Sequence, residues 1–154
     1  VFAVNLENRA FISVAIMQLV EQGKLKITDS LSLRVCGIPD SLRKVTVQQV
    51  LASKVPQGAV YQNRENKYVR LAEIIAELSN MPYSRFVEEC QFKPAGLSFE
   101  NYSSAPRRFA KSYTIARGAE RSGAYTDKHK MSPTISCNAE DVAKWIIAGA
   151  ARPS

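Results

Sequence analysis

Apolar residues recur along this chain in spaced rows rather than long runs, and the rows mark out its elements. Between Glu7 and Gly23, the side chains Phe11, Ile12, Ala15, Ile16, Leu19 and Val20 fall on paired rows four residues apart. On a helical period these rows merge into one wide face, which predicts a buried helix ended by Gly23. Thr28-Asp29-Ser30 is placed to cap a short turn around Leu31 and Leu33, and Cys36-Gly37-Ile38-Pro39-Asp40 reads as a break. Thr46 is a good N-cap for a short second helix through Leu51, with Val47 and Val50 turned inward.

The segment after Gly58 stays polar until Tyr68, Leu71, Ala72, Ile75 and Leu78 set up a further helical stripe that stops near Asn80. Pro82 suits the first turn of a new helix in which Tyr83, Phe86, Val87 and Cys90 share a face, and Lys93-Pro94-Ala95-Gly96 ends it. Residues 97–135 carry no sustained period and are rich in Ser, Arg and Tyr. They read as irregular structure with one short strand near Phe109–Ile115. So long a connection is unusual in a compact domain and suggests a functional or ligand-facing loop, or a region supported by something missing. In the last element Asn138 caps, Glu140 and Asp141 occupy the first turn, and Val142, Trp145, Ile146 and Ala150 form an expected buried stripe. The pattern predicts a mainly α chain forming a single domain over 1–154.

Composition agrees with a folded chain: 45% of the 154 residues are hydrophobic and 23% charged, unlike disordered or fibrous sequences. No apolar run approaches the roughly 18 residues of a transmembrane segment, so none is expected. The N-terminus lacks the basic, apolar, small-residue order of a secretory signal peptide, as a mature, processed or excised chain also would.

Charge changes the picture more. Of the net +7, an excess of five lies in residues 105–130, where Arg107, Arg108, Lys111, Arg117, Arg121, Lys128 and Lys130 face Glu120 and Asp127. Such a segment can dock on nucleic acid, an anionic surface or an acidic partner, and Phe109, Tyr113 and Tyr125 could stack on bases. No recognised nucleic-acid motif accompanies it, and a solvated loop is the simpler reading. Cys36, Cys90 and Cys137 lack metal-like spacing and read as small buried hydrophobes. His129 is the single histidine, and no nucleophile or orienting carboxylate is nominated for it. Neither a metal nor a cofactor is expected.

Four blocks then appear in a familiar order. They are "AIMQLVEQGKLKITDSL", "VTVQQVLAS", "YVRLAEIIAELSNMPYSRFVEECQFKPAGL" and "CNAEDVAKWI", and they span nearly the whole chain. This order resembles the serine β-lactamase and D-alanyl-D-alanine carboxypeptidase family, the penicillin-binding-protein-like serine hydrolases that include class C-type and esterase-type members. The resemblance implies a helical region beside an antiparallel sheet, with the active site in the cleft between them. Family strands lie at the two ends of the sequence, so this chain is expected to be the helical middle portion. Its flanking sheet should be largely missing, as should the Lys-Thr-Gly or His-x-Gly strand. Family members act outside the cytoplasm, which implies a periplasmic or extracellular setting.

The family's Ser-x-x-Lys opens the first helix because residues three apart share a face, letting the lysine amine help deprotonate the serine. Ungapped alignment on "AFISVAI" puts Leu6 at the serine and Arg9 at the lysine. Leucine has no nucleophilic atom, and a guanidinium keeps its proton and cannot act as a base. The second motif, Tyr-x-Asn, has a literal match at Tyr61 and Asn63, whereas ungapped counting back from "YVRL" gives Asn63, Arg64 and Glu65. The connection "ASKVPQGAVYQN" is much shorter than the family's, and Pro133-Thr134 and Cys137-Asn138 stand where the family shows Gly-Gly and Ser-Thr. Ser13, among apolar neighbours on the first helix, reads as a hydroxyl bonded to its own backbone.

The resemblance therefore implies a catalytically inactive or impaired domain with a binding or structural role. Its partner would be another protein, or a parent protein supplying the missing strands. One alternative is a serine hydrolase, whether β-lactamase, carboxypeptidase or esterase, whose motifs lie elsewhere or were altered. Another is a basic binding module using residues 105–130.

Overall fold

The computed structural model describes residues 2–4, 8–34, 38, 40–54, 65–97, 112–116, 119–123 and 135–150. Helix α1 (Asn8–Glu21) runs through the core, as its apolar rows require: Phe11, Ile12, Ala15, Ile16 and Leu19 are all buried. Gly23 stops it. At φ +69° the N–H of Gly23 donates to the Val20 carbonyl and the N–H of Lys24 to the Leu19 carbonyl, the paired bonds of a left-handed helix end.

A small lobe follows. Leu31–Leu33 and Asp40–Leu42 form 3-10 turns, and the short helix α2 (Val47–Leu51) closes the lobe. Thr46 caps α2 through a reciprocal pair: its Oγ1 accepts from the Gln49 N–H at 3.2 Å, and its own N–H donates to Gln49 Oε1 at 2.9 Å. The expected cap by residues 28–30 differs. Ser30 precedes the first turn without a side-chain cap bond, while Asp29 accepts from the Lys26 N–H and from Arg34. Leu31 is buried but Leu33 is exposed, because a three-residue turn cannot point both inward. Apart from Ile38 and Asp40, the expected break at Cys36–Asp40 lies outside the described residues.

Helix α3 (Glu65–Ser79) packs Leu71, Ala72, Ile74 and Ile75 into the core against α1 and ends at Asn80, whose φ of +54° makes the left-handed turn. Pro82 is extended (ψ 143°) and caps α4 (Tyr83–Val87) rather than lying within its first turn. The chain then widens into a π-helical turn, Glu88–Phe92, and tightens into a 3-10 turn, Lys93–Ala95, before Gly96. One extra residue in the turn moves the buried face along the chain. Gln91 and Phe92 are buried, and Cys90, expected on the inner face, is half-buried.

Two antiparallel ribbons complete the description. Strand β1 (Phe2–Val4) pairs with β4 (Ile135–Cys137), so the chain entering α1 lies beside the chain entering α5. Strands β2 (Ser112–Ala116) and β3 (Ala119–Gly123) form a hairpin, in register from Ser112↔Gly123 to Ala116↔Ala119. The single short strand expected near Phe109–Ile115 is thus Ser112–Ala116, and it has a partner. Helix α5 (Ala139–Ala150) begins as expected, with the Asp141 N–H donating to Asn138 Oδ1 at 2.7 Å. Its expected buried stripe is corrected: Val142 and Trp145 are half-buried but Ile146 is 56% exposed, while the Ala150 side chain lies outside what the structure describes; Ile147, next to the stripe, is 67% exposed. Among the described residues α5 rests on Lys93–Ala95 and, through Trp145, on Phe11. Phe11 joins these layers, with its ring edge-to-face with Phe92 at 5.3 Å and with Trp145 at 4.6 Å. The whole is mainly helical.

Candidate functional site

The sequence directs attention to the start of α1. Arg9, aligned with the family's lysine, lies in its first turn, and its guanidinium carbon sits 5.0 Å from the centre of the Tyr68 ring on α3. A planar cation over an aromatic face is an attractive pair, worth ~0.5–2 kcal/mol depending on exposure. One turn further on, Ser13 Oγ donates to the Arg9 carbonyl at 2.8 Å, the back-bonded arrangement expected of it. Its proton is committed to the helix. Arg9 and Ser13 are therefore both engaged in contacts that involve α1.

Leu6 falls in sequence between β1 and α1, outside the described residues, as do Tyr61 and Asn63; Glu65, the last position of the ungapped alternative, opens α3. Of the basic segment, the backbone of Arg121 is placed in β3 opposite Thr114. Arg107, Arg108, Lys111, Arg117, Lys128 and Lys130 lie outside the described residues, as do His129 and Cys36.

Other groups with chemistry are restrained by burial. Tyr83 is 5% exposed, and that burial pushes its phenol far above the ordinary range, so it holds its proton. The Cys90 thiol is also pushed up, first by burial and then by Glu89, with Lys24 opposing, which disfavours the reactive thiolate. Among the described residues no group of three His, Cys, Asp or Glu side chains could hold a metal ion. Among them, too, no helix is long and apolar enough to cross a membrane.

Three contacts had no signal in the sequence. Tyr68 was legible as part of an apolar stripe, but its role as the platform for Arg9 depends on how α1 and α3 pack. Gln18 and Gln91 tie α1 to the π-helical turn in both directions: Gln18 Nε2 donates to the Cys90 carbonyl at 3.1 Å, and Gln91 Nε2 to the Phe11 carbonyl at 3.0 Å.

No family model matches the chain. Among curated proteins it is similar to "Putative penicillin-binding protein PbpX" of Bacillus subtilis (strain 168), at 27% identity over 136 residues, covering 68% of this chain and 34% of that protein. Its fold is similar to that of the penicillin-binding protein from Bacillus halodurans, with a TM-score of 0.68 at 19% identity over 96% of this chain and 59% of that one. The octameric penicillin-binding protein homologue from Pyrococcus abyssi gives a TM-score of 0.72 at 16% identity, over 94% of this chain and 43% of that one. SurE gives 0.69 at 16% identity, over 94% and 41%. The chain thus spans about a third of its curated relative and roughly two to three fifths of these structures. By sequence and by fold, this chain is related to the penicillin-binding and β-lactamase-like proteins.

Proposed function

We propose that this chain is a catalytically inactive or impaired penicillin-binding-protein-like domain whose helical scaffold serves a binding or structural role. The observation that carries the reading is Arg9. In the aligned lysine position stands a guanidinium that rests on Tyr68 instead of serving as a base. Leu6, aligned with the serine, supports the same reading from sequence, since its side chain has no atom that could be acylated. The apolar rows of α1 and α3 meanwhile keep their packing. Such a division, with packing retained and chemistry removed, is what a scaffold reused for binding requires.

Labelling with a fluorescent penicillin, together with hydrolysis of nitrocefin and short p-nitrophenyl esters, tests this directly. The expected result is no covalent label and no turnover above buffer. Stoichiometric acylation would overturn the proposal and favour a serine hydrolase whose nucleophile lies elsewhere in the chain.

A further inference from the structure

We draw no further inference here: the strongest candidate, the groove between the outer face of α1 at Val14 and Met17 and the exposed side of α5 at Ile146, is an unpartnered apolar face, and nothing in the structure shows what covers it.

Discussion

A lysine and an arginine in the first turn of α1, where Arg9 stands, would offer different chemistry. A lysine amine can lose its proton when surrounded by other groups, whereas a guanidinium keeps its charge and offers a flat face for stacking. Arg9 uses that face against Tyr68. A double-mutant cycle of Arg9→Ala and Tyr68→Leu, followed by urea denaturation, should return a coupling of ~0.5–1 kcal/mol; additive effects would mean that the two side chains do not interact. Asp29 gives a second prediction at this scale. Its carboxyl is held below its ordinary value, first by the Arg34 guanidinium and then by the Lys26 N–H, with burial opposing. A carboxylate with a lowered folded pKa stabilises the protein above its unfolded value, about pH 4, and that stability is lost as pH falls through the folded value. Asp29→Asn should therefore lower the urea midpoint at pH 7, and the gap to wild type should narrow as pH falls below about 4. A gap that persists unchanged would assign the effect to packing instead.

Elements were legible where their signals are local. Thr46 and Gln49 are three residues apart and satisfy each other's backbone. Thr46→Ala should cost about 1 kcal/mol, measured by thermal or chemical denaturation, with Gly at the same position costing less. Gly23, Asn80 and Asn138 likewise end or begin helices by short-range bonds or left-handed backbone. The π-helical turn at Glu88–Phe92 was not legible. Phe86 and Val87 of α4 and Cys90 of the turn also fit a continuous helix, and only packing of Gln91 and Phe92 against α1 distinguishes the two. The stripe on α5 failed for a related reason. Periodicity identifies an apolar face, but burial of Ile146 requires a neighbour, and the described residues provide none on that side. The β2–β3 hairpin was half-read because its second strand, "AERSG", carries little apolar alternation.

Over the whole molecule, the contacts that fix the arrangement are the ones most distant in sequence. Gln91 reaches Phe11 across 80 residues, and β1 meets β4 from opposite ends of the described chain. Spacing within a helix says nothing about such pairings. The mainly helical fold became readable through the order of four blocks resembling the penicillin-binding and β-lactamase-like proteins, and the fold similarity bears that relationship out. Of the candidate site, the sequence offered only the alignment that the resemblance implies at Leu6 and Arg9, since the contact between Arg9 and Tyr68 joins two helices. The central claim, that this scaffold has parted from its chemistry, is tested most directly by intact-protein mass after incubation with benzylpenicillin, on this chain and on any longer protein that carries it. The account predicts an unchanged mass. A gain of one penicilloyl group would contradict it.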